Sequence, residues 1–137
     1  MSALEAALAA GRREHDALMI DRVRLWRPGE PVFDRDTGQD VEGPPAVLYE
    51  GPARVKPSSR TGEDVQAGEQ EVALAEYEVS VPWSTALPDG ARLHRGDRVT
   101  VLASPDARMP GLELWVMAVQ YSATATAWRI TTEDRTT

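Results

Sequence analysis

Glycine and proline interrupt this chain so often after residue 19 that only short segments can be regular there. The 137 residues include ten glycines and ten prolines, and all of them except Gly11 lie after residue 19. Proline removes a backbone donor and breaks helices, and glycine disfavours both helix and strand interiors. We therefore predict one N-terminal helix over residues 1–19, followed by a single β-barrel domain over residues 20–137.

Alternation of apolar and polar residues marks the strands of this domain. The clearest predicted strand covers residues 69–83, where Tyr77, Val79 and Val81 alternate with charged or small polar residues, so that one face is apolar. A proline at Gly51-Pro52 predicts a bulge or an edge within another strand. Altogether about six strands are expected, which favours a mostly β fold, a small barrel or sandwich. The other predicted strand segments are residues 20–27, 46–49 with 53–56, 97–103, 112–121 and 127–132, and residues 33–40 hold a turn.

The first residues carry the signature of a helix start. Ser2 and Glu5 form an S-x-x-E capping box, which predicts a helix over residues 2–18. Its apolar stripe is narrow and contains a glycine and a histidine. We therefore expect the helix to lie across a neighbouring surface rather than to pack within a core. The residues predicted to contact a partner are Leu4, Leu8, Arg12 and His15.

Residues 57–68 are polar, lack periodicity and form the one long loop that we predict. A loop of about 12 residues in a compact domain is usually functional or disordered. Its candidate functional residues are Ser58, Ser59, Arg60, Glu63, Asp64 and Gln66.

Net charge argues against a nucleic-acid-binding protein. The chain has 15 basic and 22 acidic residues, a formal charge of −7, whereas phosphate binding usually requires a basic excess. Arg54, Lys56 and Arg60 form the one basic cluster near the loop, and they could meet phosphate or pair with carboxylates of a neighbouring copy. No apolar run approaches the roughly 20 residues that span a bilayer, so no membrane partner is expected.

No pattern of catalytic or cofactor-binding residues is present in the sequence. Cysteine is absent, no serine lies in a G-x-S-x-G context and no phosphate-binding glycine loop occurs, so we predict neither an enzyme nor a cofactor site. The acidic run from Asp34 to Asp40 resembles a calcium loop, but Pro45 occupies the position of the bidentate glutamate, which favours a plain turn. His15 and His94 have no metal-ligand spacing. The four tryptophans each lie in or beside a strand and are expected in packing roles.

The order of these segments resembles the head–tail joining, or stopper, proteins of long-tailed bacteriophages, over residues 20–133. The resemblance rests on RVRLW at 22–26, DRDTGQ at 34–39, GPARV at 51–55, QAGEQ at 66–70, VSVP at 79–82, GDRVTV at 96–101 and LWVMAV at 114–119. It implies a structural virion protein at the head–tail interface, assembled in the host cytoplasm into a ring, expected to be dodecameric. The ring's partners would be the portal and adaptor proteins above and the tail terminator or tail tube below. Residues 57–68 would project into the channel and help to retain packaged DNA, without binding it specifically.

Two other functions fit the same pattern of strands. A tail terminator or tail-tube-like subunit also uses a small β fold with one long loop. A monomeric barrel could instead bind a small ligand or an oligonucleotide, although the acidic charge disfavours the latter.

Overall fold

Six antiparallel strands and one helix make up the fold in the computed structural model, which describes residues 2–58 and 75–136. The mostly β fold class with an N-terminal helix is thereby confirmed. The helix α1 spans Ala3–Ala17, and the strands are β1 Asp21–Asp34, β2 Gln39–Pro57, β3 Glu76–Pro82, β4 Arg98–Ala103, β5 Glu113–Val119 and β6 Ala127–Asp134.

The sheet closes on itself. Its strand order is β1-β2-β3-β6-β5-β4, and β4 pairs with β1 from Arg22↔Ala103 to Trp26↔Arg98. Closure removes the exposed edges that an open sheet would present along this part of each strand. The closed part of β1 is short, because only residues 22–26 have neighbours on both sides.

Alternate residues of the closed segments point inwards and form the core. Val23 and Leu25 of β1 have no exposed surface, and the same holds for Val79 and Val81 of β3. A barrel of this size is filled by side chains rather than by solvent. The remaining core side chains that are fully buried or nearly so are Val99, Val101, Leu114, Val116 and Ile130.

Beyond the barrel, β1 and β2 continue as a two-stranded hairpin that we call the arm (residues 28–45). The predicted strand over residues 20–27 is too short, since β1 runs on through Pro28 and Pro31 to Asp34. Both prolines lie at shifts in the β1–β2 register, between Arg27 and Val32, where the ladder is already irregular. At the tip, Gly38 adopts a φ of +70°, which explains the glycine of the predicted turn.

Of the bulge or edge that the sequence predicts at Gly51-Pro52, the edge is present there and the bulge lies elsewhere. The register shift in this part of β2 lies at Leu48, between the pairs Leu25↔Tyr49 and Trp26↔Val47. Pro52 pairs with Arg22 of β1 but has no partner in β3, because the pairing of β2 with β3 begins at Arg54. The backbone N–H that proline lacks therefore interrupts no hydrogen-bond ladder between β2 and β3.

An ion pair fixes the point at which the arm leaves the barrel. Arg27 Nε donates to Asp97 Oδ1 at 2.8 Å and its Nη2 donates to Asp97 Oδ2 at 3.0 Å. Asp97 is buried and also accepts the backbone N–H of His94 at 2.7 Å. Hydrogen bonding to the Asp97 carboxylate raises the pKa of Arg27, so the guanidinium stays charged. The base of the arm is thus tied to the loop that precedes β4.

Replacing Ile130 by alanine should lower the free energy of unfolding by about 2–5 kcal/mol, because it removes a fully buried side chain and leaves a cavity. The matched control is Ile20→Ala at a position that is 66% exposed, which should change it by less than about 0.5 kcal/mol. Urea unfolding followed by tryptophan fluorescence measures both. Equal losses for the two variants would contradict this description of the core.

Candidate interaction surfaces

Hydrogen bonds from one arginine join the helix α1 to the barrel. Arg12 Nη2 donates to the carbonyl oxygen of Ala123 at 2.8 Å, and its Nε donates to that of Ala125 at 3.1 Å. The guanidinium lies 3.5 Å from the ring centroid of Trp83, whose Nε1 in turn donates to the Ser122 carbonyl oxygen at 2.8 Å. These charged hydrogen bonds and the cation–π contact add to the packing of the half-buried face of α1, where a Cβ at Gly11 would come within 2.9 Å of Thr126 Cγ2.

The predicted N-cap of the helix is confirmed at Ser2. Ser2 Oγ accepts the backbone N–H of Glu5 at 3.1 Å, as the S-x-x-E pattern requires. No residue of α1 is buried, and Leu4 remains 60% exposed while Leu8 is half-buried. Of the four residues predicted to contact a partner, Arg12 is therefore engaged with its own barrel. Leu4 is the most exposed apolar side chain of this helix.

His15, the fourth of these residues, lies half-buried at the end of the helix. Its Nδ1 has no hydrogen-bond partner among the described residues. Partial burial of the ring lowers the pKa of His15, and the positive charges of Arg129 and Arg54 lower it further, although Asp16 acts in the opposite direction. The neutral imidazole is therefore the form that this docked helix favours.

Phe33, which is 60% exposed, is the largest exposed apolar side chain of the arm. Val32 pairs with Val41 across the arm, and both are exposed. The acidic residues of the DRDTGQ segment form the arm's turn, where Asp34 Oδ1 accepts the N–H of Asp36 at 2.9 Å. Sequence reasoning placed a turn here but missed the arm, because Pro28 and Pro31 suggested that the strand had ended.

An open cavity of about 690 Å³ lies between the loop that follows β3 and the loop that precedes β6. Trp83, Tyr121 and Trp128 line it, with Tyr121 and Trp128 stacked at a centroid distance of 5.4 Å. Arg92 and Arg129 contribute cations, and no carboxylate belongs to the wall that the structure describes. No pattern in the sequence indicates this cavity, since its aromatic residues are separated by up to 45 positions.

The predicted channel loop is only partly within the described residues. Pro57 belongs to β2, where it pairs with Tyr77, and Ser58 N donates to the Glu76 carbonyl oxygen at 2.9 Å. Ser59, Arg60, Glu63, Asp64 and Gln66 lie outside the described residues. Of the basic cluster, Lys56 approaches Glu78 at 3.8 Å, whereas Arg60 is also outside the described part.

The tryptophans that do not line the cavity have separate packing roles. Trp26 Nε1 donates to Thr100 Oγ1 at 2.9 Å, and Trp115 lies beneath the guanidinium groups of Arg98 and Arg135, 3.5 and 4.3 Å from its ring centroid. In the stretches 2–58 and 75–136, no group of three His, Asp or Glu side chains could hold a metal ion. No helix among those residues is long and apolar enough to cross a bilayer.

These features define a small closed β-barrel with a helix fastened to its outer wall and a two-stranded arm. The chain belongs to a family of unknown function (DUF6093), whose model matches residues 11–133, a span that includes Arg12, the arm and the cavity. No curated protein and no solved structure matched the chain.

Replacing Arg12 by alanine should release α1, because an isolated helix of this length is marginal in water. The variant loses the hydrogen bonds that the charged Arg12 donates, which contribute about 1.5 kcal/mol or more to the attachment of α1. This loss corresponds to roughly tenfold faster amide exchange in α1. Hydrogen–deuterium exchange measures this, and Arg13→Ala, an exposed neighbour, is the control. Unchanged protection of α1 in the Arg12 variant would rule out this mode of attachment.

Acidification should weaken the protein through His15. Because the pKa of His15 is lower in the folded chain, the unfolded chain binds the proton more readily, and stability falls as the pH drops below about 6.5. In urea unfolding at about pH 7.5 and pH 5, wild type should lose more stability than His15→Gln. His94→Gln controls for the other histidine, and an identical pH dependence of His15→Gln and wild type would refute the assignment.

Proposed function

We propose that this chain is a structural protein of the bacteriophage neck. Copies of it form a ring between the portal and adaptor on one side and the tail on the other, and the ring helps to retain packaged DNA. The chain performs no chemistry in this role and needs no cofactor. Its location is the virion, after assembly in the host cytoplasm.

The positions of the quoted sequence segments support the resemblance on which this proposal rests. RVRLW and GPARV lie on the paired strands β1 and β2, and DRDTGQ forms the tip of the arm between them. GDRVTV leads into β4, and LWVMAV lies within β5. Five of the seven segments thus lie on or lead into strands of the barrel, VSVP on β3 among them, whereas DRDTGQ belongs to the arm and QAGEQ lies outside the described residues.

The observation that carries the proposal is that the chain presents two different features at opposite ends of the barrel. β2 runs from the arm at Gln39 to Pro57, so the arm leaves from one end. Ser58 and Ala75, which flank residues 59–74, lie at the other end, where Ser58 bonds to Glu76 and Asp134 bonds to Ala75. This division suits the proposed ring, in which the end of the barrel that bears the arm would meet neighbouring copies and the end that bears Ser58 and Ala75 would face the channel.

Charge supports a channel that lets DNA pass without adhesion. Each copy carries a formal charge of −7, and a ring multiplies this charge around its axis. Like charges raise the energy of DNA in the channel, most strongly within a Debye length of about 8–10 Å. Retention of DNA by such a ring would depend on obstruction rather than on affinity.

A tail terminator or another tail-side connector is the alternative within the virion. The two functions differ in the partner that they require. Purification of the tagged chain from infected cells with the portal and adaptor supports the neck, whereas purification with tail-tube protein supports the tail side.

A ligand-binding barrel is the alternative outside the virion, and the aromatic cavity is the observation that favours it. Its volume of about 690 Å³ lies within the roughly 300–1,000 Å³ of small-molecule sites. Tight, salt-sensitive binding of single-stranded DNA or retention of a small molecule through purification would support this function.

Deletion of the gene for this chain should give heads that lose their DNA together with complete, separate tails, because the closure between the two is missing. Electron microscopy of the particles and measurement of packaged DNA test this, with the wild-type gene supplied in trans as the control. Full heads with malformed tails would move the chain to the tail side. Normal infectious particles would refute a role in the virion.

A further inference from the structure

The arm has no neighbouring strand within the described part of the chain. Pairing of β1 with β4 ends at Trp26↔Arg98, and pairing of β2 with β3 begins at Arg54. An isolated two-stranded hairpin is marginally stable in water, and its outer edges have unpaired backbone groups. A hairpin of this length with exposed Phe33, Val32 and Val41 is typical of a segment that docks on another surface.

The arm is strongly acidic as well as apolar. Five carboxylates and one guanidinium occur in residues 28–45, so the apolar side chains are surrounded by negative charge. The residues concerned are Glu30, Asp34, Asp36, Asp40 and Glu42, with Arg35 as the single cation. The surface that receives the arm should therefore be apolar at its centre and basic at its rim.

The aromatic cavity has this composition. Trp83, Tyr121 and Trp128 provide an apolar wall, and the ring of Tyr121 remains 58% exposed. The Arg92 guanidinium lies 5.9 Å from the Tyr121 ring centroid and takes part in no ion pair within residues 2–58 and 75–136. A volume of about 690 Å³ accommodates an aromatic side chain together with the hairpin residues beside it.

The arm and the cavity lie at the same end of the barrel, and the arm's base contacts the cavity's rim, because Arg27 Nη2 donates to the Arg92 carbonyl oxygen at 2.8 Å. β3 is antiparallel to β2 and runs back towards the end from which the arm leaves, and the cavity-lining loop follows β3. The arm of one copy does not occupy its own cavity, because Phe33 is 60% exposed and no residue of the arm belongs to the cavity lining.

We propose that the arm of one copy docks in the aromatic cavity of a second copy, with Phe33 against Trp83 and Tyr121 and the arm's carboxylates near Arg92. Such a contact joins two different surfaces, so it propagates from copy to copy and closes into a ring when the rotation allows. The inference rests on the proposed ring-forming function and identifies the surfaces that the ring would use. A symmetric contact of arm with arm would bring carboxylates together and would stop at a dimer.

The absence of cysteine makes a crosslinking test direct. One cysteine at the arm tip and one in the cavity wall, Arg35→Cys with Ala86→Cys, should give a ladder of disulfide-linked oligomers on oxidation. Either cysteine alone should give dimers at most. Adding Phe33→Ala should lower the yield of the ladder at least about tenfold, a loss equal to about 1.4 kcal/mol of contact free energy. Adding Ile20→Ala, an exposed apolar residue at the other end of the barrel, should leave the ladder unchanged.

Oxidation is carried out both on the concentrated chain and on particles assembled with the double-cysteine variant. A ladder in either sample supports the contact. A ladder in neither, a ladder unaffected by Phe33→Ala, or a disulfide to a different virion protein overturns it.

The test separates this contact from the proposed function. DNA-leaking heads on deletion, without a ladder, leave the neck function standing and remove the arm contact. A ladder combined with normal particles on deletion keeps the contact and removes the neck function.

Discussion

The antiparallel pairing of β1 with β4 is the constraint on which the rest of this structure depends. Without it, the six strands would form an open sheet with β1 and β2 leading away from one edge. With it, Leu25 pairs directly with Val99, and both pack with Val23 and Val79 in one closed interior. Because β1 has two neighbours only over residues 22–26, its continuation must leave the barrel, and that continuation is the arm.

The loop that precedes β4, residues 91–97, connects the arm to the cavity. Asp97 binds the Arg27 side chain at the base of the arm, and the Arg92 carbonyl oxygen accepts a hydrogen bond from the same guanidinium at 2.8 Å. The side chain of Arg92 lies over Tyr121 at the cavity. Because Asp97 is buried, its charge requires the Arg27 guanidinium as a partner. This ion pair fixes the base of the arm to the same short segment that carries Arg92 at the cavity's rim.

The helix is attached by polar contacts to the loops beside the same cavity. Arg12 bonds to the loop before β6 and stacks on Trp83, which also lines the cavity. The arm, the cavity and the helix anchor therefore all adjoin one end of the barrel, while residues 59–74 are joined to the other.

The sequence by itself determined the elements whose signals are local. The alternation of Tyr77, Val79 and Val81 set the inward face of β3, and Ser2 set the start of α1, because side-chain period and capping depend on residues a few positions apart. Only the tertiary structure decided how far β1 extends. Its prolines suggest that the strand has ended, but they lie at register shifts, and regular pairing with β2 resumes beyond them. Only the tertiary structure could assemble Trp83, Tyr121, Trp128 and Arg92 into a cavity, or direct Arg12 to its own barrel, because these contacts join residues tens of positions apart. Closure of the sheet brings these residues together, and closure produces no periodic pattern in the sequence.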